Sequence, residues 1–307
     1  MISRRRLLVI AAGMAGVGCS GFSRQPKKTE WRGRAFGAEV AIAVYGSDRR
    51  AQNAIDAARD TMRRLERYFS LYDPASLLSG LNRTGRLSMP PEVARLITLC
   101  DHLHAATDGL FDPTVQPLFA LHAKSAGTPT PDDSVRTRAL IGWNKVRFNQ
   151  SAIWLTQPRM ALTFNGIAQG FATDRICEVL AAHGFDRFLV NLGEYRTGRN
   201  DAQLAIEDID DRRLSTLTIT NEAVATSSSH GFTFPDGTSH IFRPLAGAST
   251  EPEWRTVSVV SRTAAVADAL STALILAPGT ELARRLQRQG LLRRAVLQDF
   301  GNLIVRI

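Results

Sequence analysis

One carboxylate stands where an apolar helix should have none. Val266-Ala267-Asp268-Ala269-Leu270-Ser271-Thr272-Ala273-Leu274-Ile275 is hydrophobic nearly all round, with Asp268 in its middle, so the segment belongs in a core. A buried carboxylate without a partner is costly, and Asp268 needs a cation, a metal ion or a cluster of donors. Thr272 lies one turn on, on the same face. A carboxylate and a hydroxyl so placed are hard oxygen ligands, suited to Mg²⁺ or Ca²⁺ and not to zinc. An arginine or a set of backbone amides would serve Asp268 equally well.

A second segment, Asn165-Gly166-Ile167-Ala168-Gln169-Gly170-Phe171-Ala172, runs from a strand pattern through glycines into a helix pattern. Such a turn offers free backbone N–H groups and a positive helix end to a phosphate. It is neither a Walker loop nor a dinucleotide fingerprint. A third segment, Thr226-Ser227-Ser228-Ser229, follows a short strand and is followed in turn by His240-Ile241-Phe242-Arg243-Pro244. Four hydroxyls there suit a phosphate, a ribose or a solvated turn. Ser228, His240 and Asp268 allow a hydrolase triad on paper, but no Gly-x-Ser-x-Gly elbow accompanies them.

These residues need a scaffold. Ile55, Ala58, Met62, Leu65 and Phe69 recur at helical steps, with Ser47 or Asp48 as cap. A second helix starts at Pro90-Pro91 and buries Val93, Leu96, Ile97, Cys100 and Leu103. Ser125 to Asp133 is a Pro/Gly/Thr-rich loop. Segments 152–156 and 160–164 read as a hairpin around Pro158. Helices are expected from Ile167 to Gly184, Thr263 to Ala277 and Thr280 to Gln289. Strands are expected at 40–44, 188–192, 202–206, 214–219, 254–260, 294–299 and 302–307. Strands and helices mix without regular alternation, which makes the fold class α+β.

The chain has 307 residues and a net charge of +9, long enough for a sizeable core. Much of the charge is terminal: Arg4, Arg5, Arg6, Arg24, Lys27 and Lys28 precede the first acid, Glu30. The arginines at 284, 285, 288, 293 and 294 have no interleaved aromatics for base stacking, so they are a solvated helix face and not a nucleic-acid site. Arg4-Arg5-Arg6 before the apolar run Leu7–Gly18 reads as an export signal of the twin-arginine type over 1–19, too short to span a bilayer. Cys19 follows a poor lipobox, so cleavage without lipid stands beside a lipid anchor there. Residues 20–30 read as a linker and 31–307 as one domain. Cys100 and Cys177 are expected as buried thiols.

The three chemistry-bearing segments resemble, in order and rough spacing, the ApbE family of flavin transferases. Ser70-Leu71-Tyr72-Asp73-Pro74-Ala75-Ser76-Leu77-Leu78-Ser79-Gly80-Leu81-Asn82 is similar to that family's tyrosine and S-x-L-x-x-L-N region. Gly109-Leu110-Phe111-Asp112-Pro113-Thr114-Val115-Gln116-Pro117-Leu118 is similar to its G-x-F-D-x-T-V-x-P-L motif, and Phe36-Gly37-Ala38 stands where Met-Gly-Thr is usual. The likeness spans residues 31 to 305. It implies Mg²⁺ held by Asp268, Thr272 and the backbone carbonyl of Gly166, with FAD as flavin donor. It places flavin and adenine contacts at Phe36, Tyr72, Leu110, Phe111, Asp112, Thr163, Gln169 and Phe242, and His240 near the phosphates.

The chain departs from the family pattern. Asp-Leu-Gly-Gly-Ile-Ala-Lys-Gly reads here as Thr163-Phe164-Asn165-Gly166-Ile167-Ala168-Gln169-Gly170, and a Gly-Gly reads Gly193-Glu194. Losing the lysine removes a positive charge where phosphoryl transfer develops negative charge. These variants resemble the branch associated with nitrous oxide reductase maturation. The expected reaction moves FMN from FAD to a Thr or Ser hydroxyl of an exported or membrane-bound flavoprotein subunit, releasing AMP, with His240 as candidate base. The expected location is the periplasm or the outer face of the inner membrane. The alternatives are a Mg²⁺-dependent FAD pyrophosphatase and a non-catalytic exported FAD-binding protein.

Overall fold

Two strands, β1 (Lys28–Ala35) and β2 (Ala38–Tyr45), open the fold in the computed structural model, which describes residues 27–46, 48–244 and 251–307. Val40, Ile42 and Val44 alternate along β2 and are buried, which gives the strand one core face. Phe36 and Gly37 both have positive φ, 50° and 75°, as a two-residue hairpin turn requires. Lys28, Thr29 and Glu30 pair with Tyr45, Val44 and Ala43, so regular structure begins ahead of the expected boundary at Trp31. The segment 1–19 expected to be an export signal, with Cys19, together with Ser47 and residues 20–26, lies outside the described residues.

The first half continues with α1 (Arg49–Phe69), α2 (Leu77–Thr84), β3 (Arg86–Ser88), α3 (Pro91–Ala106), α4 (Gln116–Lys124), α5 (Pro131–Arg138), β4 (Val146–Phe148), β5 (Ala152–Leu155) and α6 (Ala168–Ala182). The second half runs β6 (Phe188–Asn191), β7 (Tyr195–Thr197), β8 (Asp201–Glu207), β9 (Arg213–Thr220), β10 (Ala223–Ser228), β11 (Thr256–Ser261), α7 (Ala264–Leu274), α8 (Glu281–Arg288), β12 (Arg294–Gln298) and β13 (Ile304–Arg306). Asp48 caps α1 by accepting from Ala51 N at 3.0 Å, and the predicted stripe of α1 is buried.

Among the described residues the main sheet runs β1-β2-β6-β7-β10-β11-β12-β13, every neighbour antiparallel. Its central strands alternate between two cores. Ala225, Val257, Val259, Ala295 and Leu297 face the main cluster with the helices. Val224, Val260 and Val296 face a second cluster under the β8–β9 hairpin. Helix α7 lies on β10 and β11, and α6 packs between α1 and α7. The architecture is α+β, as the mixed pattern predicts.

The expected hairpin over 152–156 and 160–164 does not form. Strand β5 pairs with β3 and β4 instead. Met160, Leu162 and Phe164 alternate and are buried, yet their backbone finds other partners. Asn82 Nδ2 donates to Leu162 O at 2.9 Å, and Leu162 N donates to Asn82 Oδ1 at 2.7 Å. One carboxamide thus replaces a rung of ladder. The hydroxyl run also shifts: Thr226, Ser227 and Ser228 lie within β10, not after it. Cys100 and Cys177 are buried free thiols, and burial raises both above the usual thiol range.

Candidate functional site

All of α7 except Val266 and Thr272 is buried. Its alanines leave little bulk between it and α6, and at Gly170 the two chain segments nearly touch. A Cβ there would lie 2.3 Å from Ala264 O, closer than real atoms approach, so the position requires glycine.

The contact is reciprocal. Ile167, the N-cap residue of helix α6, supplies no side-chain cap, leaving first-turn amides in need of acceptors. Asp268 of α7, 5% exposed, supplies one by accepting from Gly170 N at 3.2 Å. In return Asp174 of α6 accepts from Ala264 N at 2.8 Å and Ala265 N at 2.9 Å, the first amides of α7. Each helix therefore places a carboxylate at the positive end of the other. Arg196 on β7 completes the set with an ion pair to Asp174. Burial pushes the Asp174 carboxyl above its ordinary value; Arg196 and the two amides pull it back.

This clamp brings Thr272 beside the glycine turn. A Cβ on Gly166 would lie 2.9 Å from Thr272 Oγ1 and 3.1 Å from its Cγ2. Gly166, far back along the chain, thus meets Thr272, while Asp268 on the same helix reaches the amide of Gly170 four residues on. Ser227 of β10 joins them: its Oγ is 2.8 Å from Ser271 Oγ and 3.4 Å from Thr272 Oγ1.

The remaining candidates are held by separate contacts. Thr163 N donates to Pro113 O at 2.8 Å, which ties the Gly109–Leu118 motif to the segment held by Asn82. Leu110, Phe111 and Asp112 are buried. Asp112 accepts from Thr114 N at 2.8 Å and Thr114 Oγ1 at 2.7 Å, and its second oxygen lies 3.6 Å from His104 Nε2. Phe36 N donates to Glu66 Oε1 at 2.8 Å. Tyr72, in contrast, is 79% exposed, on the loop after α1. Gln169 is buried, and its Nε2 donates to Leu192 O at 2.7 Å, packed against Gly193.

His240 and Phe242 lie on the 229–244 segment, which folds back on itself. Ser239 Oγ donates to Ser229 O at 2.7 Å, and Phe234 N to Thr238 O at 2.9 Å. Phe234 and Phe242 form a third apolar cluster with Leu118 and Ile141, and His122 lies 4.8 Å from the Phe242 ring, centre to centre. His240 Nδ1 is 2.7 Å from Phe232 O. A carbonyl can only accept, so Nδ1 carries the proton and Nε2 is the basic nitrogen of the neutral ring. Ser228 spends its hydroxyl on Arg255 O at 3.2 Å, with Thr256 Oγ1 at 3.4 Å. It is not the histidine-activated serine of a hydrolase.

The ApbE family model matches residues 36–293. The chain belongs to the ApbE family. Its relatives include the FAD:protein FMN transferase of Chlamydia trachomatis serovar D, 29% identical over 239 residues that cover 73% of this chain and 75% of that one. The FAD:protein FMN transferase of Escherichia coli K12 is 25% identical over 321 aligned residues, covering 94% and 91%. The fold matches the apo flavinyl transferase ApbE of Pseudomonas stutzeri with a TM-score of 0.79 at 24% identity, covering 92% of this chain and 96% of that one. The ApbE protein of Thermotoga maritima matches with a TM-score of 0.80 at 24% identity, covering 91% and 97%. Against this ApbE background, the residues to which sequence reasoning assigns no role are Asn82, Asp174 and Ser271. Asp174 is less conspicuous than Asp268, because Arg175 and Glu178 share its helix. Asn82 closes a recognised motif without revealing its distant partner.

Proposed function

We propose that the chain is a FAD:protein FMN transferase that uses Mg²⁺ and modifies a Thr or Ser hydroxyl of a partner flavoprotein. The observation that carries this reading is the docking of α7 on the glycine turn, where Thr272 meets Gly166 and Asp268 meets Gly170 N. Its donors suit a hard cation: a buried carboxylate, a hydroxyl and the backbone beside a glycine whose missing side chain leaves room for Thr272. Asp268, Thr272 and the Gly166 carbonyl would hold the ion. When bound, Mg²⁺ supplies charge neutralisation at the FAD pyrophosphate and at the departing phosphate of AMP.

The chain's own residues bind, orient and move a proton. The acceptor hydroxyl oxygen forms a bond to the FMN phosphorus. The bond from that phosphorus to the bridging oxygen breaks, and AMP leaves with that oxygen. His240 Nε2 takes the hydroxyl proton, while the Nδ1 bond to Phe232 O fixes the ring. Phe36, Tyr72, Leu110, Phe111, Asp112, Thr163 and Phe242 contribute the flavin and adenine contacts.

Gln169 favours a second reading. It stands where a lysine is usual, and its amide is engaged with Leu192 O, so the site lacks a cation that would stabilise the transferring phosphoryl group. A non-catalytic FAD-binding protein is consistent with that. One incubation of the mature protein with FAD, Mg²⁺ and its flavoprotein partner separates the readings. Mass spectrometry should show one covalent FMN on a Thr or Ser of the partner, absent with Asp268→Ala. Free FMN plus AMP would instead mark a pyrophosphatase, and intact bound FAD a binding protein. The partner is an exported or membrane-bound subunit, met in the periplasm or at the outer face of the inner membrane. Replacing Arg4, Arg5 and Arg6 by Lys should retain the protein in the cytoplasm, and fractionation that still finds it exported would refute that location.

A further inference from the structure

Of the four hydroxyls in Thr226-Ser227-Ser228-Ser229, Ser227 is the one that meets α7. Thr226 pairs with Ser258 Oγ at 2.8 Å, and Ser228 and Ser229 bond Arg255 O, each at 3.2 Å. Ser227 Oγ instead lies between Ser271 Oγ, at 2.8 Å, and Thr272 Oγ1, at 3.4 Å. Ser271, 1% exposed, donates to Asp268 O at 2.9 Å.

Proton counting gives these contacts a direction. A hydroxyl has one proton and two lone pairs. Ser271 spends its proton on Asp268 O, because a carbonyl only accepts. Toward Ser227 it is therefore the acceptor, and Ser227 spends its proton on Ser271. Toward Thr272, Ser227 has only a lone pair left, so the Thr272 proton points at Ser227. The lone pairs of Thr272 Oγ1 then face away from β10. A cation binds lone pairs and is repelled by an O–H hydrogen, so this orientation suits a metal ligand. Outer partners that orient ligating atoms are a general feature of metal sites.

We propose that Ser227 and Ser271 are positioning residues: together they turn the lone pairs of Thr272 Oγ1 toward the cation site beside Gly166 and Asp268. The inference rests on the Mg²⁺ reading of that junction. Neither serine is a ligand in this scheme. Ser271 acts through Ser227, and Ser227 through Thr272.

The test is a titration of Mn²⁺, as a paramagnetic stand-in for Mg²⁺, into the full chain with FAD present, with free ion counted by electron paramagnetic resonance. Ser227→Ala and Ser271→Ala should each weaken cation binding about tenfold, with melting temperature followed alongside. Ser227→Thr keeps a hydroxyl on the same strand and should restore binding. It is the deciding variant if Ser227→Ala melts early. Ser271→Ala is informative because Ser271 is one hydroxyl removed from Thr272, so loss there reports the direction of the chain of hydroxyls. If the wild type binds Mn²⁺ in a manner lost with Asp268→Ala, while both alanine variants bind as tightly as wild type, the inference fails alone. If Ser227→Thr stays as weak as Ser227→Ala, the hydroxyl account fails. If the wild type shows no saturable binding, the inference and the Mg²⁺ reading fail together.

Discussion

At the α6–α7 junction each contact that matters has a main-chain atom on at least one side. In the 229–244 segment they are made largely by rings. Gly170 meets Ala264 O, Asp174 takes the first two amides of α7, and Asp268 takes an amide of α6. In 229–244, Phe232 and Phe234 lie 5.4 Å apart between ring centres, Phe234 and Phe242 5.9 Å, and Phe119 lies 5.4 Å from Phe234. Contacts of the first kind leave little freedom, because the main-chain partner cannot change rotamer and the carboxylate is held by directional hydrogen bonds. Ring contacts tolerate rearrangement, because apolar packing is not directional. The residues proposed to hold a cation sit on the rigid region, where donor spacing is critical. His240 and Phe242, which the proposed function needs to admit FAD and an acceptor protein, sit on the adaptable one.

The contrast breaks most visibly at Asp174. Its replacement by Ala leaves Arg196 and two helix amides without their acceptor, in a site where Asp174 is 7% exposed. Removing one partner of a buried pair costs about 3–5 kcal/mol. Asp174→Ala should lose that much by denaturant titration and weaken Mn²⁺ binding with it, though Asp174 is not among the proposed ligands. A cost near that of a surface mutation would mean that the reciprocal caps do not hold the junction.

Much of this region is legible in the amino-acid sequence. Helix α7 declares itself because Asp268 interrupts an apolar run, and Gly166 and Gly170 because glycines mark the start of α6. The pairing between them is not legible. Asp268 and Gly170 are 98 positions apart, and nothing local reports a contact at that separation. The strand expected at 160–164 fails for a different cause. Alternation of Met160, Leu162 and Phe164 reports one-sided burial and not a ladder. A distant Asn82 side chain serves the same backbone groups, and its partner on the chain cannot be inferred from spacing. Ser227 is legible as a hydroxyl but not as a strand residue facing α7. The residues proposed to contact the flavin come from family resemblance alone, since their own pattern is that of ordinary core aromatics and loop polar residues.

The 229–244 segment should respond differently. Phe242 is 5% exposed but belongs to the small cluster rather than the main core. Phe242→Leu should cost about 1 kcal/mol of global stability, well below the Asp174 change. Its local effect should be larger. Amide hydrogen exchange across 231–242 should quicken, with α6 and α7 unchanged, and FAD should bind more weakly. Equal acceleration in α6 and α7 would show that the two regions unfold as one unit, and the distinction between them would be lost.

The smallest expected effect concerns pH and the ring packed beneath Phe242. Burial lowers His122 from its ordinary value of 6.5; the Asp236 carboxylate and the Gly127 backbone oppose that shift, while Arg138 reinforces it. The sign follows from proton binding. A histidine with a depressed folded value binds fewer protons folded than unfolded as pH falls past the unfolded value. The stability associated with the neutral ring is therefore fully present above about pH 6.5 and declines as the solution is acidified below it. His122 is partly exposed, so solvent screens the charge and the change stays small. It should also stay local, because the ring meets Phe234 and Phe242, at 5.5 Å and 4.8 Å, and not the helices of the junction. Exchange in 231–242 should rise between pH 7 and pH 5.5 while that of α6 and α7, corrected for intrinsic chemistry, does not. His122→Phe keeps an aromatic ring in the cluster without a titrating group and should flatten the dependence. If that variant keeps the wild-type pH response, another group controls the segment. If acidification loosens α6 and α7 equally, the segment and the junction are coupled more tightly than their contacts indicate.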